Sequence, residues 1–162
     1  DDPSADIFDR ADALKARGNR LYGAGAHREA VACYSRAVEL LELDGENESK
    51  GAPRVRATCL ANRAACWLKL SQWAQAAADA TLVIRASQEA HVTVKALYRR
   101  AKAHENLGDA EKAERDLRQV LELEPHNKEA AADLAAYESI LHRINVLANG
   151  TPAMRKKQGA KF

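Results

Sequence analysis

The sequence predicts an all-α protein built from helical hairpins, and three observations carry that prediction. Apolar residues recur at helical rather than strand spacing. Hydrophobic residues make up 46% of the 162-residue chain but aromatic residues only 5%, and alanine is abundant. Only four prolines interrupt the pattern. Helices with so many small side chains can approach one another closely, and a chain of this length suits one domain with its own core.

A short pattern recurs three times along the chain. Its copies are LKARGN at 14–19, LANRAA at 60–65 and LYRRAK at 97–102, each with a small residue in fifth place. An alanine follows twelve residues after that place, at Ala30, Ala76 and Ala113, and an apolar residue four further on, at Tyr34, Ala80 and Leu117. The third copy ends at Pro125, which cannot continue a helix.

This pattern is similar to the tetratricopeptide frame, in which Leu-Gly-x2-Tyr and Ala-x3-Phe columns precede a proline at a period of about 34 residues. We therefore expect three helical hairpins stacked as a right-handed superhelix, followed by a capping helix, with seven helices in all. The expected helices span 8–24, 27–43, 54–70, 73–86, 92–107, 110–123 and 127–148. The polar stretch 44–53 and residues 87–91 take up the extra length between copies.

The predicted organisation is a single domain over residues 1–148. Its repeats lie at about 11–44, 57–88 and 94–127, and its capping helix at about 127–148. Residues 149–162 are expected to form a flexible basic tail, whose Arg155, Lys156 and Lys157 suit a solvated segment, which we favour, or an anionic surface. Because the chain begins at Asp1 rather than Met, we expect a fragment of a longer protein.

Two columns next to one another have different expected roles. Gly18 lies inside the first helix, where glycine costs about 1 kcal/mol relative to alanine. We interpret it as a contact residue that lets the partner helix approach, a role that alanine takes in the other copies. Arg17, Arg63 and Arg100 precede these small residues. We expect their stems to pack between repeats and their charged heads to reach water, in preference to the alternative that they bind a ligand.

Composition excludes several classes of function. The formal net charge is +2, from 25 basic and 23 acidic residues, so we expect no general attraction to nucleic acid or to a membrane surface. No apolar run approaches the length of a membrane span. The histidines have no metal-ligand spacing, His104 is expected to be a packing residue, and no phosphate-binding glycine loop or nucleophile motif occurs. We expect this domain to bind no metal and no cofactor and to have no enzyme activity. Any catalytic activity would belong to another domain of the parent chain, such as a prolyl isomerase.

The cysteines indicate the compartment. Cys33, Cys59 and Cys66 are odd in number and lie inside apolar helical patterns, so we expect them to be reduced core residues. Reduced cysteines are typical of the cytoplasm and nucleus.

We expect the isolated domain to be monomeric.

Five polar residues fall on one face of the first helices of the hairpins: Lys15, Asn19, Asn62, Lys95 and Arg99. At about 100° per residue they share an arc of about 100° that faces away from the buried leucine column. Because neighbouring repeats stack in parallel, these arcs are expected to line one concave surface. Three cations and two amides without a carboxylate suit a short anion that carries more than one carboxylate.

This set resembles the dicarboxylate clamp of tetratricopeptide co-chaperones. All five positions, within LKARGN, ANRAAC and VKALYRR, carry the residue types expected there. The resemblance implies that the domain binds the C-terminal Glu-Glu-Val-Asp tail of heat-shock chaperones of the 70-kDa or 90-kDa class. It further implies that Lys15, Asn19 and Asn62 hold the terminal main-chain carboxylate. Lys95 and Arg99 would then hold the carboxylate of the last Asp side chain and nearby backbone.

A second hypothesis comes from a different class of function. The groove of a structural scaffold could instead hold an internal helix of another subunit or of the parent protein. Repeat architecture alone does not decide between the two, because the same fold serves both. The free terminal carboxylate of the peptide separates them, since only a clamp reads it.

Overall fold

The computed structural model describes residues 3–43 and 51–150, and this part of the chain folds into seven α-helices. They are α1 (Pro3–Gly23), α2 (His27–Leu43), α3 (Ala52–Lys69), α4 (Trp73–Ala86), α5 (Ala90–Asn106), α6 (Ala110–Leu123) and α7 (Lys128–Asn149). The all-α prediction is confirmed, although α1 begins five residues earlier than expected and α3 and α5 each begin two residues earlier. Residues 44–50 of the expected linker and residues 151–162 of the expected tail lie outside the described residues.

The turns inside the three hairpins have the same backbone geometry. Each contains one residue with positive φ: Gly25 at 78°, Ser71 at 56° and Gly108 at 78°. The next residue then donates its N–H back across the turn, from Ala26 to Leu21 (2.9 Å), Gln72 to Trp67 (2.8 Å) and Asp109 to His104 (2.9 Å). Glycine adopts this left-handed conformation without strain, which suits the first and third turns. In the second turn a serine, Ser71, takes the same conformation. The repeat seen in the sequence is therefore also a repeat of backbone conformation.

The helices stack in chain order, and a second set of contacts defines a face. Each helix contacts the next one along the chain, while further contacts join α1 to α3 and α3 to α5. The first helices of the three hairpins therefore lie side by side, and we call their shared surface the inner face. Helix α7 packs on α6. The small residues Gly18, Ala64 and Ala101 are all buried. Their size allows each first helix to lie close to its partner.

The core consists of two clusters that follow the stacking. One joins the first two hairpins around Tyr34, Leu60 and Val83, and the other joins the third hairpin to α7 around Leu97 and Leu117. Ile84 packs against both clusters. The cluster of the first two hairpins includes Cys59 and Cys66, and all three cysteines are buried and free, as the sequence predicted.

The arginine column differs from its prediction in two of three copies. The Arg63 guanidinium grips buried Asp79 through two bonds of 2.7 Å, and Trp67 Nε1 donates to the same carboxylate at 3.1 Å. Arg100 binds buried Asp116 in the same way, at 2.8 and 2.7 Å. The prediction that these heads reach water was wrong, because in both copies an aspartate stands sixteen residues after the arginine, on the partner helix.

The first repeat lacks this pair for a reason visible in its sequence. Sixteen residues after Arg17 stands Cys33 rather than aspartate, and Arg17 is exposed, as predicted. In the later repeats the same arginines also reach back to the preceding hairpin. Arg63 donates to Ser35 Oγ at 2.9 Å and Arg100 to Thr81 Oγ1 at 3.1 Å. The ion pairs therefore also tie neighbouring repeats together.

The described residues contain neither a candidate membrane span nor a candidate metal site. None of the seven helices combines the length and apolar character that crossing a bilayer would require. Residues 3–43 and 51–150 contain no group of three or more histidine, cysteine or carboxylate side chains that could hold a metal ion. His104 is half-buried, and burial lowers its pKa, which is the behaviour of a packing histidine.

Candidate functional site

A pocket of about 180 Å³ opens on the inner face, and we call it the Asn19 pocket. Its lining comes from all three first helices and from α2: Asn19, Tyr22, Tyr34, Asn62, Ala65 and Arg99. Helical spacing explains its construction, because residues three apart on one helix share a side. Asn19 and Tyr22 meet this condition on α1, and Asn62 and Ala65 meet it on α3.

A hydrogen-bond network fixes the amide of Asn19. Its Oδ1 accepts from the Tyr34 hydroxyl at 2.7 Å and from Asn62 Nδ2 at 3.0 Å. Both bonds use the carbonyl end of the side chain. Within the described residues Asn19 Nδ2 donates to no protein group, so its two hydrogens are available to a ligand. The network therefore presents a donor rather than an acceptor at this end of the pocket.

Arg99 brings positive charge into the pocket without a carboxylate partner. Its Nη1 donates to the backbone carbonyl of Ala61 at 2.8 Å. The side chain is half-buried, and burial lowers its pKa, while the neighbouring Tyr22 and Cys66 act weakly in the opposite direction. Among residues 7–43 and 51–150 no carboxylate pairs with it. A cation held away from water in this way favours an anionic guest.

Lys95 lies in an adjoining pocket, which we call the Lys95 pocket. This pocket has a volume of about 310 Å³, and Arg99 lines it as well as the Asn19 pocket. Lys95 is exposed and forms no ion pair with any described residue. Glu124 and Glu129 also line the Lys95 pocket. It therefore has mixed charge, whereas no acidic residue lines the Asn19 pocket.

Lys15 is placed differently from the other four predicted residues. It lies on α1 one turn before Asn19, but it lines neither of these two pockets. Its ammonium forms an ion pair with Asp12, three residues earlier on the same helix. Lys15 would have to exchange this carboxylate for that of a ligand, which costs little because Asp12 is half-exposed.

The structure therefore brings Asn19, Asn62 and Arg99 into one pocket, connects Lys95 to it through Arg99, and leaves Lys15 beside it on the same helix. Their role as ligand-binding residues stays a prediction. Three lining residues were missed: Ala65 and the two tyrosines, Tyr22 and Tyr34. Tyr34 belongs to an apolar column of the repeat that contains Ala80 and Leu117 in the other copies. The hydroxyl that distinguishes Tyr34 from those two residues is the feature of the sequence that could have indicated its place in the pocket.

The arrangement has the chemistry to bind an anion. One guanidinium and two carboxamides converge on a cavity that also has aromatic walls from Tyr22 and Tyr34. Such groups donate hydrogen bonds to a carboxylate, and amides also bond to extended backbone. Burial raises the pKa of Tyr34 to about 12, so its hydroxyl keeps its proton at neutral pH.

The chain is similar to known proteins in both sequence and structure. The family model for the tetratricopeptide repeat matches residues 94–127. Protein unc-45 homolog B of Xenopus tropicalis is 34% identical over 131 residues, which cover 81% of this chain. The chain spans only 12% of the length of that relative.

Two solved domains are similar over nearly their full length. The first TPR of Spaghetti (RPAP3), bound to the HSP90 peptide SRMEEVD, is 30% identical with a TM-score of 0.66. The match covers 83% of this chain and 94% of that one. The second TPR domain of human RPAP3, in complex with the HSP70 peptide SGPTIEEVD, is 32% identical with a TM-score of 0.66. The match covers 82% of this chain and 98% of that domain.

Proposed function

Since this chain belongs to the tetratricopeptide repeat family, we propose that it is the peptide-binding module of a co-chaperone. The proposed ligand is the acidic C-terminal peptide of a heat-shock chaperone of the 90-kDa or 70-kDa class. Lys15, Asn19, Asn62, Lys95 and Arg99 are the residues that would hold its carboxylates. The module itself is proposed to be non-catalytic and to need no cofactor.

One observation carries the proposal: the charge of Arg99 is unbalanced. Among the described residues, four arginines of the first helices of the hairpins are partly buried, and three of them pair with a carboxylate: Arg63 and Arg100 each with a buried aspartate, and Arg56 with an exposed glutamate. Among the described residues, the Arg99 guanidinium instead hydrogen-bonds to the Ala61 carbonyl and pairs with no carboxylate, and it lines a pocket whose other polar side-chain groups are amides and hydroxyls. A peptide carboxylate would supply the missing counter-charge.

The placement of the other residues suits a ligand with two carboxylates. Asn19 and Asn62, with Lys15 one turn away, would bind the terminal main-chain carboxylate. Lys95 and Arg99, which share the neighbouring pocket, would bind the side chain of the last aspartate. Hydrogen bonds to charged groups contribute about 1.5–3 kcal/mol each, so a few of them suffice for specific capture of a short peptide.

The solved relatives support the class of ligand. The peptides named with the two similar RPAP3 domains, SRMEEVD and SGPTIEEVD, share the ending Glu-Glu-Val-Asp. The present chain is about as similar to one of these domains as to the other. The proposal therefore names the shared tail and leaves both chaperone classes as ligands.

A pair of labelled peptides tests the proposal directly. Met-Glu-Glu-Val-Asp with a free C-terminus is titrated by fluorescence anisotropy against the same peptide with an amidated C-terminus. We expect amidation to weaken binding about tenfold or more, because the terminal carboxylate loses its charge-assisted hydrogen bonds. Equal affinities would show that the carboxylate is not read, and the scaffold hypothesis would then be preferred. The affinity for the free acid should also fall as the salt concentration rises.

A further inference from the structure

We propose that Tyr34 is a positioning residue of this site, which orients the Asn19 amide through its hydroxyl so that Nδ2 faces the peptide carboxylate. The inference rests on the proposed function, because it assigns a task within the same pocket. It also adds a residue from α2, whereas the five predicted residues all come from the first helices of the hairpins.

The contacts of Asn19 show why an orienting group is needed. Asn19 is exposed, and an exposed carboxamide can rotate to present either its oxygen or its nitrogen. An oxygen turned toward a carboxylate would repel it. The Tyr34 hydroxyl donates to Asn19 Oδ1 at 2.7 Å, and Asn62 Nδ2 adds a second donor at 3.0 Å. With Oδ1 engaged by two donors, Nδ2 is directed to the ligand.

Tyr34 is suited to this task because packing in the core holds its side chain in place. Its side chain is 1% exposed and belongs to the core of the first two hairpins, while its hydroxyl reaches the Asn19 pocket. A rigid donor that orients an exposed ligand-binding group reduces the entropy lost on binding.

Gly18 allows the Tyr34 ring to take the position from which its hydroxyl reaches Asn19. A Cβ atom at position 18 would lie 2.6 Å from Tyr34 Cε1 and 2.9 Å from both Cδ1 and Cζ. Any side chain there would push the ring, and with it the hydroxyl, away from its present place. The other repeats carry alanine at this position, and the residues at the Tyr34 position in those repeats are Ala80 and Leu117. Gly18 therefore makes room for the ring that orients its own neighbour, Asn19.

The test compares Tyr34→Phe with the wild type on the free-acid and amidated peptides. Phenylalanine keeps the ring and removes only the hydroxyl. We expect the affinity for the free acid to fall about five- to tenfold, with little change for the amide and a nearly unchanged melting temperature. Tyr137→Phe is the matched control, because Tyr137 is also buried but lies on α7, outside the pocket. It should leave both affinities as in the wild type.

A double-mutant cycle separates positioning from packing. In an Asn19→Ala background there is no amide to orient, so Tyr34→Phe should cause no further loss of affinity. An additive loss in that background, or wild-type affinity in Tyr34→Phe alone, would overturn the inference. If the wild type itself does not distinguish the free acid from the amide, the proposed function fails and this inference with it. If the wild type does distinguish them and Tyr34→Phe behaves identically, only the inference fails.

Discussion

Arg99 and Arg100 are neighbours in α5, and among the described residues Arg100 is paired with a carboxylate whereas Arg99 is not. Arg100 grips Asp116 through two hydrogen bonds of 2.8 and 2.7 Å, and Asp116 is 3% exposed. Arg99 donates to the Ala61 carbonyl at 2.8 Å and has no carboxylate partner among the described residues. Adjacent residues of a helix point about 100° apart, so Arg100 is directed toward the hairpin partner and Arg99 toward the Asn19 pocket.

This difference predicts opposite consequences for the same substitution. Arg99→Met should weaken binding of the free-acid peptide about tenfold or more. It should leave the free energy of unfolding unchanged or slightly higher, because the variant no longer holds an unpaired charge away from water. Arg100→Met should lower the free energy of unfolding by about 3–5 kcal/mol, because it leaves Asp116 buried without a partner. Urea denaturation and peptide titration of both variants measure the two effects. Comparable destabilisation by both would mean that Arg99 is structural.

The ion pair of the second repeat should be equally sensitive to loss of its carboxylate. Asp79→Ala removes the acceptor of both Arg63 and Trp67 and should lower the free energy of unfolding by about 3–5 kcal/mol. Glu39→Ala is the control, because it breaks a pair with Arg36 in which both side chains are more than half exposed. It should change the stability by less than about 1 kcal/mol. Chemical denaturation compares them, and similar losses in both variants would contradict the assignment.

A glycine pair tests the close approach of Tyr34. Gly18→Ala gains about 1 kcal/mol of helix propensity but forces a methyl group against the buried Tyr34 ring. Overpacking costs about 1–3 kcal/mol, so we expect a net loss of stability, together with weaker peptide binding. Gly23→Ala is the same substitution on the same helix, with no atom within 4 Å of the added Cβ. It should be neutral or stabilising by up to about 1 kcal/mol. Thermal melts that rank the two variants in the reverse order would refute this reading of Gly18.

Two buried thiols give the stability a dependence on alkaline pH. Burial raises the pKa of both Cys59 and Cys66 to about 11, from an ordinary value of 9.0. Between those values the folded protein keeps protons that the unfolded chain releases, so the free energy of unfolding should fall as the pH rises above about 9. Urea titrations at about pH 8 and pH 10 measure the fall. A variant with alanine at both positions should show a smaller one, and an equal fall would exclude the thiols as a cause.

The same burial predicts slow chemical modification. At about pH 8 the thiols of Cys59 and Cys66 are protonated and inaccessible, so iodoacetamide should label them slowly in native protein and rapidly in urea. Mass spectrometry of the labelled peptides reads both rates. Fast labelling in native conditions would show that the helices around α3 open more readily than the packing implies.

Helical periodicity, together with the resemblance of the repeat to the tetratricopeptide frame, was enough to predict most of the architecture. The recurring leucine and small-residue columns gave the three hairpins and the approximate ends of all seven helices, because these features depend on neighbours within a few turns. The placement of Asn19, Asn62 and Arg99 on one face followed in the same way. A helix turns by about 100° per residue, so the side on which a residue lies can be counted from the sequence.

Contacts between helices could not be counted in this way. The arginine heads were expected in water, but Asp79 and Asp116 hold them across the hairpin, where partners sixteen residues apart meet only once the helices pack. Tyr34 was expected to be apolar filling, but its hydroxyl reaches Asn19. Lys15 was predicted to bind a ligand, and in the fold its ammonium forms an ion pair with Asp12.

The sequence by itself determined which residues form helices and which side of each helix they occupy, because backbone geometry converts spacing into direction. Only the tertiary structure decided which charges are neutralised and which amides are oriented, because those outcomes depend on distances between helices. Gly18 and Asn19 show both. Their spacing placed one toward the partner helix and the other toward the pocket, and the Tyr34 ring, packed against Gly18 and hydrogen-bonded to Asn19, joins the two.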